Sequence, residues 1–239
     1  MKNILVVSHE RSGTHFLIDT IANCFGKSNK KIDLPLWSNN PKVCNLDEYR
    51  KLVESFIEKW SKERTDRIFK SHHDVRMFEN VWGLLVENFH IVYISRNYLD
   101  TFTSCYHYFN KAPSHFPKFN SFLEFIETKP YQYGFNNDYS YEKYDSFIDR
   151  WYQHNHLWYQ KKDSLCWISY EELSEDFIGT TKRLGEYLGE TPSSIEKPNL
   201  TGICPRKGIV GDWKTLISSQ QVKLINDRLY DLKKKHGNE

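Results

Sequence analysis

Ile4-Leu5-Val6-Val7-Ser8-His9-Glu10-Arg11-Ser12-Gly13-Thr14-His15-Phe16-Leu17-Ile18 is the stretch on which the fold turns. Ile4–Val7 is a short, wholly apolar run, the pattern of a parallel strand buried on both faces. Small and polar residues follow, and then Phe16-Leu17-Ile18 opens an apolar helical run. A strand feeding a small-residue turn and a helix gathers backbone N–H groups and the positive end of the helix dipole at one spot, where an anion binds. Gly13 lets the backbone come close to a ligand. Ser12 and Thr14 offer hydroxyl donors, and Arg11 a forked cation suited to phosphate oxygens. The competing reading is an ordinary helix with Ser12 as its N-cap.

Outward from this stretch, three more short runs read as buried parallel strands: Arg67–Lys70, His90–Ile94 and Leu165–Ser169. Segments of helical spacing lie between and after them: Phe16–Phe25, Asp47–Trp60, Leu99–Phe109, Tyr144–Tyr159, Glu171–Leu188 and Gln220–Lys235. Strands alternating with helices predict a doubly wound α/β fold, a central parallel sheet flanked by helices, over one domain spanning residues 1–239. The stretch from Asn110 to Tyr141, with Pro113, Pro117 and Pro130 among many aromatics, reads as an excursion over the ligand end of the sheet. It suits a substrate lid and an inert surface loop equally.

Composition narrows the function. The chain has 33 basic and 31 acidic residues among 239, a net charge of +2, with no long basic run. That excludes a nucleic-acid footprint, so an anionic ligand needs local cations. The 7 Trp, 15 Tyr and 15 Phe suit a deep pocket as well as a core. Five cysteines without a CxxC pair indicate neither a zinc site nor a disulfide framework, which agrees with a reduced, cytoplasmic protein. The apolar run at Ile4–Val7 is too short for a signal peptide or an integral membrane segment.

A nucleotide kinase or ATPase is the natural rival for such a loop. Its GxxxxGK[ST] pattern is broken here, because Ser8 stands at the first glycine and Thr14 at the lysine. The His90–Ile94 strand continues into Ser95-Arg96, where a magnesium site needs a carboxylate. This combination favours group transfer without metal, driven by fixed cations and hydrogen-bond donors.

Four elements in order resemble the cytosolic-type sulfotransferase family, whose donor is 3′-phosphoadenosine 5′-phosphosulfate (PAPS). Arg11-Ser12-Gly13-Thr14-His15-Phe16 is similar to the family's 5′-phosphosulfate loop. Arg96-Asn97-Tyr98-Leu99-Asp100 with Ser104 is similar to its 3′-phosphate signature. Tyr170-Glu171-Glu172-Leu173 and Arg206-Lys207-Gly208-Ile209-Val210-Gly211-Asp212-Trp213 resemble its two later motifs. The resemblance implies a P-loop-NTPase-like three-layer architecture, PAPS as co-substrate, adenosine 3′,5′-bisphosphate (PAP) as product, and no metal. It implies that residues 11–16, Arg96, Ser104, Tyr170 and Arg206–Gly208 bind the donor. Read from its place after the Leu165–Ser169 strand, the Tyr170 ring suits stacking on adenine or packing in the core. Phe69-Lys70-Ser71-His72-His73 resembles the catalytic element, which implies His72 as base and Arg11 with Lys70 as stabilisers of charge on the leaving phosphate. His73 competes for the base role, although neighbours on an extended segment point opposite ways.

Departures are Arg11 for a lysine, His15 for a hydroxyl residue and Phe16 for a tryptophan, whose aromatic face for adenine is kept. An inactive nucleotide-binding relative is the further alternative. The family's dimerisation motif is altered at Ser219 and Lys223, so dimerisation by that route is not expected. The expected partner is a hydroxyl acceptor, whether small molecule, lipid or glycan, near Tyr106, Tyr108, Phe109 and the Phe116–Tyr141 excursion.

Overall fold

The computed structural model describes residues 2–34, 46–111, 118–129, 144–199 and 208–236. Five parallel strands form one sheet in the order β2-β3-β1-β4-β5. They are β1 (Asn3–Val7), β2 (Ser28–Asp33), β3 (Arg67–Ser71), β4 (Phe89–Ser95) and β5 (Cys166–Ser169). The four apolar runs are strands, each within a residue or two of its expected bounds. The fifth, β2, was not legible: Ser28-Asn29-Lys30-Lys31-Ile32-Asp33 is a polar edge strand with one apolar residue.

β1 is buried at all five positions, and its side chains alternate between two cores. Ile4 and Val6 join Ile68, Val92 and Ile168 under α1 (Thr14–Phe25) and the later helices α7 (Tyr170–Glu175) and α8 (Phe177–Leu188). Leu5 and Val7 join Phe69, Ile91 and Tyr93 on the opposite face. There they meet α2 (Leu46–Lys62), a 3₁₀ turn at Val75–Val81, α3 (Trp82–Asn88) and Trp158. Helices on both faces of a parallel sheet give the expected three-layer architecture. A third cluster joins α4 (Tyr98–Lys111), α5 (Phe122–Glu127), α6 (Phe147–Tyr159) and α9 (Ser219–His236).

Two helix boundaries differ from expectation for a local reason, and one further helix lies where none was expected. The helix expected over Tyr144–Tyr159 starts at Phe147, because Ser146 accepts from the Asp149 amide and caps it. The helix expected over Glu171–Leu188 breaks at Asp176, whose carboxylate accepts from the Gly179 amide to start α8. Within the Asn110–Tyr141 excursion, residues 118–129 hold α5, with Phe119, Phe122 and Phe125 in the third core. Residues 112–117 and 130–143 lie outside the described residues, and with them the choice between lid and surface loop.

β1 pairs with β3 on one side and β4 on the other, so the connections diverge at its carboxyl end. In open α/β sheets a ligand site forms at such a switch point.

Candidate active site

The loop after β1 builds its shape from backbone. Arg11 and Gly13 both take the left-handed conformation, with φ 64° and 98°. Gly13, not Ser12, is the N-cap of α1, and no side chain caps the helix. The ordinary capped helix is therefore overturned, and the amides of the first turn, which have no intrahelical acceptor, face the loop. Ser12 Oγ is buried with no hydrogen-bond partner among the described residues. Gly13 is required twice over, by its φ and by space, since a Cβ there would collide with the Tyr170 ring.

Donor-side residues converge on this loop from distant elements. Arg11 Nε donates to Ser104 Oγ of α4 at 3.2 Å, and its guanidinium lies 4.9 Å from the centre of the Tyr108 ring. Arg96, just past β4, donates to the Arg11 carbonyl at 3.4 Å and the Ile209 carbonyl at 3.3 Å. Its Nε is a second buried donor with no partner among the described residues. The Tyr170 hydroxyl donates to the Gly208 carbonyl at 2.8 Å, while its ring lies under Arg96 at 4.3 Å. The ring is 4% exposed and pressed against Gly13, so its place here is packing and anchorage rather than an open adenine platform. Phe16 is likewise buried, edge-on to Tyr170 and stacked on Phe177, because an all-carbon ring has no polar edge to keep near a ligand. Buried Asp100 accepts from the Gly211 and Trp213 amides at 2.7 and 3.1 Å, which fixes the segment carrying Gly208 against α4. Arg206 and Lys207 lie outside the described residues.

At the end of β3 the pleat separates His72 from His73. His73, 2% exposed, turns into the core, where Ser71 Oγ lies 2.8 Å from Nδ1 and the Tyr49 hydroxyl meets Nε2. His72 turns to the loop, its Nδ1 2.9 Å from the Ser8 carbonyl. A carbonyl only accepts, so Nδ1 carries the proton and Nε2 holds the lone pair. Ser8 Oγ lies 3.3 Å from the same Nδ1 and 2.6 Å from Thr14 Oγ1, linking the ring to the first residue of α1. Burial, and then the charge of Lys70, lowers the His72 pKa to about 3, so the ring is neutral throughout the physiological range. Lys70 itself is paired with Asp33 at 2.8 Å. His15 points to β2, where Lys31 Nζ lies 3.1 Å from Nε2.

Sequence reasoning missed the support behind the loop. Arg150 of α6, 3% exposed, donates to Glu10 at 2.7 Å and also meets His9 Nε2. His9 Nδ1 lies 2.9 Å from the Glu10 carbonyl, and the His9 ring stands edge-on to His154, itself bonded to the Tyr93 hydroxyl at 2.9 Å. No local pattern signals contacts across 140 residues. Of the aromatics expected at an acceptor pocket, Phe109 is buried in the third core, while Tyr106 and Tyr108 are partly buried.

Uncapped amides, two orphaned buried donors and converging cations suit a dianionic nucleotide end. Residues 1–201 match the sulfotransferase domain family. The chain belongs to that family. It is 23% identical to sulfotransferase 2A1 of Macaca fascicularis over 97% of this chain and 85% of that protein. The human sulfotransferase 2A1 is 22% identical with the same coverage. In structure it is similar to mouse sulfotransferase SULT7A1 complexed with PAP, with TM-score 0.64, 21% identity and coverage of 97% and 84%. Retinol dehydratase in complex with retinol and PAP gives TM-score 0.61 at 15% identity, covering 98% and 82%. The protein is a PAPS-dependent sulfotransferase. Among the described residues no cluster of His, Cys, Asp or Glu is arranged to hold a metal ion, and no helix is long and apolar enough to cross a membrane.

Proposed function

We propose that His72 is the base that accepts the proton of a small-molecule hydroxyl as its oxygen attacks sulfur in line. The observation that carries this is the bond from His72 Nδ1 to the Ser8 carbonyl, which leaves Nε2 as a neutral acceptor beside the uncapped helix. PAPS supplies the sulfuryl group: an oxygen–sulfur bond to the acceptor forms, the bond from sulfur to the 5′-phosphate breaks, and PAP leaves with the electron pair. The amides of Gly13, Thr14 and His15 and the Ser12 hydroxyl hold the 5′-phosphate. Arg96, Ser104 and the Arg206–Gly208 segment hold the 3′-phosphate. Arg11 and Lys70 stabilise charge that builds on the leaving oxygen. Lys70 reaches it by exchanging Asp33 for the donor, since a doubly hydrogen-bonded anion competes well with a half-exposed carboxylate. The acceptor is a hydroxyl compound, and the reaction takes place in the cytoplasm, a reading supported by the resemblance of the motifs to the cytosolic-type family.

Calorimetry with PAPS, PAP and magnesium–ATP checks the donor reading. PAPS and PAP are expected to bind in the micromolar range or tighter, with ATP far weaker. Binding of magnesium–ATP without PAP would restore the kinase alternative.

A further inference from the structure

Lys31, like Arg150, is a cation at this site that no sequence motif pointed to. It sits in the edge strand β2, within the stretch where pairing to β3 slips between Ser28 and Ile32. Such irregularities re-aim a side chain out of the regular alternation. Here the ammonium is delivered to the second residue of α1, with Nζ 3.1 Å from His15 Nε2 and 3.2 Å from Nδ1.

The surroundings of Lys31 differ from those of the other cations. Arg11 is engaged by Ser104, and Lys70 by the carboxylate of Asp33. Lys31 has Asp33 and Asp19 within electrostatic reach, but its described hydrogen-bond partner is an imidazole, which accepts at one of its two ring nitrogens. That imidazole is neutral, because burial and then the charges of Lys31 and Lys70 hold its pKa near about 4. A neutral ring orients an ammonium without discharging it. Lys31 and Lys70 also lie close enough for each to lower the other's neighbours, and the depressed Lys31 pKa has burial and Lys70 as its causes. Among the described residues, two ammonium groups and a helix N-terminus thus meet, with Asp33 the carboxylate hydrogen-bonded to Lys70.

The side of the loop matters. Arg11, Arg96, Ser104 and Gly208 lie toward β4 and α4, where the 3′-phosphate is placed. Lys31, His15 and Lys70 lie toward β2 and β3, the side from which His72 approaches. An anion there is the terminal group of the donor, not its nucleoside end.

We propose that Lys31, oriented by His15, is a binding residue for the sulfuryl oxygens of the donor, the oxygens that PAPS carries and PAP lacks. The inference rests on the donor-site reading above. His15 then has a defined part: it replaces the hydroxyl usual at that position with a ring that steers a second-strand lysine into the site.

Isothermal calorimetry of PAPS and PAP, without acceptor, on wild type, Lys31→Met and His15→Ala tests this. Lys31→Met is expected to lose PAPS affinity by ~10-fold, the size of one charge-assisted hydrogen bond, while PAP affinity stays within about twofold. His15→Ala is expected to lower the PAPS-to-PAP affinity ratio in the same direction, and the double variant to fall no further than Lys31→Met. Retained PAP binding shows that the variants are folded. An unchanged PAPS-to-PAP ratio in Lys31→Met, whether both affinities hold or both fall, overturns the assignment. Failure of the wild type to bind PAP would instead sink the donor-site reading itself.

Discussion

The loop after β1 and the end of β3 meet at one site but are held in different ways. The loop works through its backbone: two left-handed residues, an uncapped helix and amides facing a ligand. Short local bonds, from the Ser12 amide to the His9 carbonyl and between Ser8 and Thr14, are backed by side chains from far away, Arg150 behind the loop and Arg96 beside it. The end of β3 works through side chains on an ordinary pleat. Lys70 and His72 are held by Asp33 and Ser8, and His73 by Ser71 and Tyr49. The difference teaches that stability and function are fused at the loop and separable at β3. Substitutions should therefore behave differently in the two places.

Arg150→Met breaks the comparison most severely. It leaves Glu10 and His9 without their buried partner, and loss of one member of a buried ion pair costs about 3–5 kcal/mol. Urea unfolding should show that loss, and PAP affinity should fall with it because the loop loses its backing. An unchanged midpoint with intact PAP binding would mean the loop holds its own shape.

Acid comes next. Burial lowers the pKa of both His9 and His154 to about 3, against a usual value of 6.5. Below pH 6.5 the unfolded chain takes up a proton on each ring, while the folded chain does so only near pH 3. Stability is thus fully present above 6.5 and lost as pH falls from there toward 3. Each ring contributes about 1.4 kcal/mol per pH unit in that window, and buried His72, also lowered to about 3, behaves alike, so these three rings together should cost ~4 kcal/mol between pH 7.5 and 5.5. Denaturant midpoints across that range check it; a flat profile would mean that these rings are charged in the fold.

Ser8→Ala has the smallest expected effect and sharpens the contrast. It removes the Oγ contacts to His72 and Thr14 but keeps the carbonyl that fixes the tautomer. We expect kcat to fall ~10-fold, about 1.4 kcal/mol, with little change in the unfolding midpoint. Steady-state kinetics with saturating PAPS measure it. Unchanged kcat would confine the role of Ser8 to its backbone.

How much of this was legible follows from the same contrast. Ile4–Val7 and the small residues after it announce a strand and an anion loop, because burial on both faces and close backbone approach each demand particular side chains. In Lys70-Ser71-His72-His73 alternation says that the two histidines point opposite ways, and the family resemblance says which one faces the site. β2 was hidden because an edge strand need not be apolar, and Lys31 was hidden with it. The Arg150 support was hidden because its partners are distant in sequence and a buried arginine has no periodic mark. The competing reading of Ser12 as a cap fails because a left-handed Gly13 lets the helix begin one residue later without a side-chain acceptor. Arg206 and Lys207 were read only from their motif and lie outside the described residues.

The central claim is that His72 Nε2 takes the acceptor's proton while the loop holds the donor. Single-turnover transfer of radiolabelled sulfuryl from saturating PAPS to a hydroxyl acceptor, in wild type and His72→Ala, tests it most directly, with PAP affinity measured on both. The account predicts a loss of ~10³-fold in the transfer rate with PAP affinity retained, as expected for removal of a general base. Near-wild-type transfer by His72→Ala with intact PAP binding would contradict it.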